Sequence, residues 1–143
     1  MTNNIFISCD HAGFYLKEQI VKYLLERSFK IIDLGTKNSL SVDYPDYSDI
    51  LVNKMKNNFD YIGILLCGTG IGMSIAANRH SYIRAALCLD EDMARLSRQH
   101  NDANVLVIGG RTTSFNSAKK IIDAFVATEF EEGRHTKRLK KIS

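Results

Sequence analysis

Apolar residues along this chain come in two rhythms. Short continuous runs at residues 5–9, 29–35, 61–67, 83–89 and 104–110 are rich in aliphatic side chains and predict five strands. Between them the apolar positions recur every three or four residues. Leu16, Ile20, Tyr23 and Leu24 mark one helical face, and Tyr47, Ile50, Leu51 and Met55 mark a second that starts near Pro45, the only proline. Residues 71–78 read as a helix of small residues and 91–99 as a fourth helix. Ser114 is placed to cap a fifth, which carries Ala118, Ile121, Ile122 and Phe125 on its apolar face.

Strand and helix alternate throughout, and the strands are continuously apolar rather than apolar at every second position. That pattern predicts an α/β fold, a five-stranded parallel sheet covered by helices on both faces in three layers. No repeat, linker or low-complexity segment interrupts it. The expected organisation is one domain over 1–143, an α/β core over 1–128 followed by a basic helical extension over 129–143.

Composition narrows the class. The 143 residues are 45% hydrophobic, enough for one full core. No apolar run approaches the roughly 18 residues of a membrane span. The stretch MTNNIFISCD lacks the basic and apolar segments of a secretion signal. Cys9, Cys67 and Cys88 are odd in number and form no CxxC pair, which argues against a disulfide framework or structural zinc and for the reducing cytoplasm. The net charge of +3 is uneven. Arg134, Lys137, Arg138, Lys140 and Lys141 carry five positive charges, so the rest of the chain stands at −2 (3 minus 5). Such a run is read either as a solvated helix face or as a contact for an anion.

In parallel sheets ligands bind beyond the carboxyl ends of the strands. Asp10 and His11 follow the first strand there, Asp43 and Tyr44 come after the second, and Asp90 follows the fourth. The fifth leads to Gly110 and Arg111. The third ends in Cys67-Gly68-Thr69-Gly70-Ile71-Gly72 and opens onto a helix. Glycines let backbone amides approach an anion, and the helix behind them adds its positive end. Met73 stands where a dinucleotide fingerprint has its third glycine, and no Gly-Lys-Ser/Thr follows, so neither nucleotide motif is present. The loop is either a tight turn that needs glycine or a cradle for a phosphate or a developing oxyanion. Cys67, at its mouth, is either a buried small hydrophobe or a reactive thiol favoured by the helix end behind it. Asp10 is either half of an acid–base pair with His11 or a helix cap. His100, Asn101 and Asp102 precede the fifth strand and therefore belong to a loop at the amino edge, away from Cys67. If His100 acts at a site, that site is a neighbouring subunit's.

The segments CDHAGFYLK, DYPDY, CGTGIGMSIAANR and LSRQHNDANVL resemble the ribose-5-phosphate isomerase B family, which includes the galactose-6-phosphate isomerase subunits. The resemblance runs from about residue 5 to about residue 138. It implies a Rossmann-like α/β sandwich working as a homodimer, in some members a tetramer, with sites shared between subunits, no metal and no cofactor. It also implies interconversion of ribose 5-phosphate and ribulose 5-phosphate. By that resemblance Cys67 is the base that moves a proton between C2 and C1, and Thr69 shuttles the hydroxyl proton. The amides of Gly68, Thr69, Gly70, Ile71 and Gly72 stabilise the enediolate. His100 assists ring opening. Asp10, His11, Tyr44 and Asn101 contact the sugar, and Arg111, Arg134 and Arg138 bind the phosphate. One branch of the family uses a glutamate further along the loop; here Ile71-Gly72-Met73-Ser74 offers no acid, so the chain resembles the cysteine branch.

Two other readings stand beside this one. A six-carbon sugar phosphate, of allose or galactose, would fit the same chemistry. The galactose enzyme needs two kinds of subunit, whereas this chain carries the whole residue set. A non-catalytic module binding nucleotides or nucleic acid through the tail would leave Cys67 and His100 without a task.

Overall fold

The structure, a computed structural model, describes residues 3–143. The first two residues of the stretch read for a secretion signal lie outside the described part. Five strands form one parallel sheet: β1 (Asn4–Cys9), β2 (Lys30–Asp33), β3 (Tyr61–Cys67), β4 (Ala85–Leu87) and β5 (Val105–Gly109). Their order across the sheet is β2-β1-β3-β5-β4. The helices are α1 (Phe14–Glu26), α2 (Tyr44–Met55), α3 (Ile71–Ala77), α4 (Glu91–Asn101), α5 (Phe115–Ala127) and α6 (Arg134–Lys140), with a 3₁₀ turn at His11–Gly13.

The two faces of the sheet carry separate apolar clusters. Ile5, Ile7, Ile64, Leu66, Leu106 and Ile108 pack against Leu16, Ile20 and Leu24 of α1, Ala94 of α4 and Ile121, Ile122 and Phe125 of α5. On the other face Phe6, Leu65, Val105 and Val107 meet Leu51, Val52 and Met55 of α2 and Met73 and Ala77 of α3. A strand apolar on both sides cannot alternate, which is why the strand runs are continuous.

Three expected boundaries are corrected. The fourth strand is confined to Ala85–Leu87 because it is an edge strand whose neighbour pairs with it only over Val105–Val107. The second strand ends at Asp33, whose carboxylate takes the Gly35 amide at 2.9 Å; beyond it the chain keeps backbone bonds to the end of β1 but not the strand register. His100 and Asn101 are not in a loop. They form the last turn of α4, which Asp102 closes in the left-handed conformation, its amide donating to Ser97 and Arg98 carbonyls.

A buried lysine fastens the loop after β2. Lys17, 1% exposed, donates to both carboxylate oxygens of Asp33 and to the Thr36 carbonyl, each at 2.8 Å. Cys9 and the Gly35–Thr36 segment exchange backbone bonds of 2.7 and 2.8 Å. The end of β1, and hence Asp10, is held from the side by this network.

Candidate active site

Chain connections run one way from β1 to β2 and the other way from β2 to β3, so the sheet reverses direction between β1 and β3. Beyond the carboxyl ends of such a pair the flanking loops diverge and leave a crevice. Cys9 pairs in register with Leu66, and Cys67 with Gly109, so Asp10, Cys67 and Gly109 stand side by side at the carboxyl edge. Two backbone bonds bind these exits together. Gly110 N–H donates to the Cys67 carbonyl at 2.7 Å and Arg111 N–H to the Gly68 carbonyl at 2.9 Å.

The loop from Cys67 folds back over its own sulfur. Gly70 adopts φ +81°, a conformation that a side chain would strain. Its amide donates to Cys67 Sγ at 3.2 Å. Thr69 Oγ1 accepts the Ile71 amide at 3.2 Å, which fixes its hydroxyl at the rim of the loop. Gly72 is needed for space: a Cβ there would stand 2.5 Å from the Tyr44 ring. The phenol of Tyr44 thus closes over the glycine loop from the start of α2.

Asp10 is a cap. Its Oδ1 accepts the amides of Ala12 at 2.9 Å and Gly13 at 3.2 Å and so starts the 3₁₀ turn that carries His11. His11 Nδ1 accepts the Val42 amide at 3.1 Å. The proton of the neutral ring is therefore on Nε2, and His11 is a hydrogen-bond donor on that side. Arg111, exposed, runs past Gly68: a Cβ there would be 3.6 Å from its guanidinium.

The remaining candidates stand elsewhere. His100 and Asn101 end α4, just before β5 begins, and therefore lie at the amino edge of the sheet. β5 alone separates that edge from the Cys67 loop by about 15 Å at the rise of a strand. Arg134 and Arg138 are exposed on α6, which packs against α4. A residue missed in the sequence joins them. His135, 6% exposed, stacks its ring on that of His100 at 4.4 Å between centroids and 18° between planes. Its burial, then the charges of Arg134 and Arg138 and the His100 ring, hold its imidazole below the ordinary histidine range. No signal in the sequence marked it as buried, since a histidine inside a basic run reads as surface.

One donor cluster invites a metal. Ligand atoms of His100, Glu131 and His135 lie within 4.8 Å of one another. Imidazole lone pairs lie in the ring plane, and near-parallel stacked rings direct them side by side rather than to a common point. The two flanking arginines add positive charge. As arranged, the cluster does not fit an ion.

Comparison with known proteins identifies the family. The family profile described as Ribose/Galactose Isomerase matches residues 5–142. The chain belongs to the ribose/galactose isomerase family and is an isomerase. Among solved structures, the ribose 5-phosphate isomerase B of Thermotoga maritima is 52% identical, with TM-score 0.95 over 97% of this chain and 96% of that one. The enzyme of Mycoplasma genitalium, solved with bound ribulose 5-phosphate, is 42% identical, with TM-score 0.93 over 97% and 93%. The Escherichia coli ribose-5-phosphate isomerase B is 45% identical over 97% of this chain and 93% of its own length.

Proposed function

We propose that the protein interconverts D-ribose 5-phosphate and D-ribulose 5-phosphate in the non-oxidative pentose phosphate pathway of the cytoplasm. The observation that carries this reading is the Gly70 amide aimed at Cys67 Sγ inside a loop of further amides at the β1/β3 switch point. A base and an oxyanion cradle in one loop are what moving a proton next to a carbonyl requires.

The chemistry runs in two stages. His100 gives a proton to the furanose ring oxygen as the bond from that oxygen to C1 breaks. The anomeric hydroxyl releases its own proton to solvent and becomes the C1 aldehyde. Cys67, as thiolate, then takes the proton from C2. The electron pair moves into a C1–C2 double bond, and the charge on O1 is met by the amides of Gly68 to Gly72. Thr69 relays a proton from O2 to O1, and Cys67 returns its proton to C1 to give the ketose. Asp10, His11, Tyr44 and Asn101 align the sugar, while Arg111, Arg134 and Arg138 hold the phosphate, whose binding energy keeps the reacting carbons in register.

The separation of Cys67 from His100 supports a homodimer in which each site takes its thiol from one subunit and its histidine and tail arginines from the other. Apolar side chains left on α3 and around α4 support the same assembly: Ile71, Ile75 (61% exposed), Leu89 (63% exposed), Met93 and Leu96. They flank the open edge at β4.

The test is isomerisation of ribose 5-phosphate by the purified chain without added metal, with allose 6-phosphate and galactose 6-phosphate as rivals. Turnover of the pentose at the higher kcat/KM upholds the reading. A preference for either hexose phosphate would move the substrate within the same chemistry, and silence on all three would overturn it.

A further inference from the structure

We propose that His135 is a positioning residue for His100: its buried imidazole backs the His100 ring and sets the plane in which His100 delivers its proton. This rests on the reading of His100 as the ring-opening donor and goes beyond it by naming the group that aims it.

Three observations carry the assignment. The first is the stack itself, 4.4 Å between centroids and 18° between planes. His135 is buried beneath His100, which is only partly covered. Second, His135 Nε2 is buried without a hydrogen-bond partner among the described residues. The nearest carboxylate oxygen, of Glu131, is 3.9 Å away, too far for a hydrogen bond. A buried polar atom left unpaired costs free energy, so a purely structural position would favour an apolar ring. What histidine offers here is a flat, polarisable face against a ring that gains and loses charge.

Third, the chain takes trouble to deliver this ring. Arg98 Nε donates to the Thr128 carbonyl at 3.2 Å, and the Glu131 amide donates to the Gln99 carbonyl at 3.0 Å. Glu132 and Gly133 then adopt positive φ, 61° and 57°, and turn the tail back over the end of α4. The segment after α5 is thereby fastened to the residues that precede His100. α6 thus has two tasks. Arg134 and Arg138, four residues apart, share its exposed side. His135 faces inward, so docking of the tail and orientation of His100 are one event.

The experiment uses the full chain, its His135→Ala and His135→Phe variants, and His100→Asn as reference. Two rates are compared. One is net isomerisation of ribose 5-phosphate. The other is exchange of the C1 hydrogen of ribulose 5-phosphate with deuterated water, followed by NMR. The ketose is already open, so exchange needs the base and the cradle but no ring chemistry. His135→Ala should slow isomerisation by at least about tenfold while exchange falls less than about twofold, a modest loss for a misaimed acid. His135→Phe, which keeps a flat ring but loses the imidazole, should recover only part of the loss. The proposal is overturned if His135→Ala isomerises like the parent, or if exchange falls in parallel with isomerisation. If His100→Asn itself shows no selective loss of isomerisation, the reading of His100 fails. If His100→Asn shows that loss and His135→Ala does not, the inference about His135 fails alone.

Discussion

The amide of Gly70 donates to the sulfur of Cys67 at 3.2 Å, across a loop of two intervening residues. Gly70 then takes a left-handed conformation that leads the chain into α3. The bond holds the sulfur at the mouth of the loop, beside the amides that follow it.

The first prediction concerns that sulfur. Cys67→Ser keeps size and burial but replaces the thiol with a far weaker acid. It should lower kcat by about 10²–10⁴-fold, the usual worth of a positioned base. The free energy of unfolding in urea should stay within about 0.5 kcal/mol of the parent, so steady-state kinetics and chemical denaturation of the same preparation separate the two effects.

The three cysteines should also differ in reactivity. Burial pushes the Cys9 thiol up to about 12 and the Cys88 thiol up to about 11. Both therefore stay protonated and inert through pH 9, because only the thiolate attacks. Iodoacetamide at pH 8 should place one carbamidomethyl group, on Cys67, with loss of isomerase activity in step. Sugar phosphate should protect it. Peptide mass mapping that finds Cys9 or Cys88 modified first in folded protein would contradict this.

Lys17 supplies a stability test. Lys17→Met fills the same space without a charge and leaves the Thr36 carbonyl unpaired. Asp33 keeps about a third of its surface in water, so its loss is partly compensated by solvent. The expected cost is about 2 kcal/mol, one buried acceptor and part of an ion pair. Because the loop from Thr36 leads to Val42 and so to His11, the KM for ribose 5-phosphate should rise as well. Denaturant unfolding and Michaelis kinetics measure the two parts.

Docking of the tail should weaken in acid. The His135 imidazole is held below its ordinary value, by burial first and then by Arg134, His100 and Arg138, with Glu131 opposing. A base with a lowered folded-state value is neutral in both states at high pH. As pH falls below about 6.5 the unpacked form takes up a proton that the packed form refuses, so stability is lost downward from there. Hydrogen exchange of α6 amides should accelerate between pH 7.5 and 5.5 beyond its intrinsic change. In His135→Phe that excess should vanish.

Much of this was legible along the chain. The continuous apolar runs announced a sheet buried on both faces, and β3 and α5 fell where their patterns put them, because burial of a strand or a helix face is a local property of residue order. The thiol-glycine loop was visible for the same reason: its hydrogen bonds close within four residues. Asp10 was left between cap and acid, and its amides were needed to decide.

What required three dimensions were relations between segments far apart in sequence. The order β2-β1-β3-β5-β4 sets Asp10 beside Cys67, and no pattern within a strand encodes its neighbours. Lys17 is a buried anchor only because β2 brings Asp33 and Thr36 to it. His135 lies 35 positions beyond His100, inside a run of charge that reads as solvent-facing, until the turn at Glu132 and Gly133 folds it under α4. Local pattern reports how much of a residue is buried on average; which partner buries it depends on the path of the chain between them.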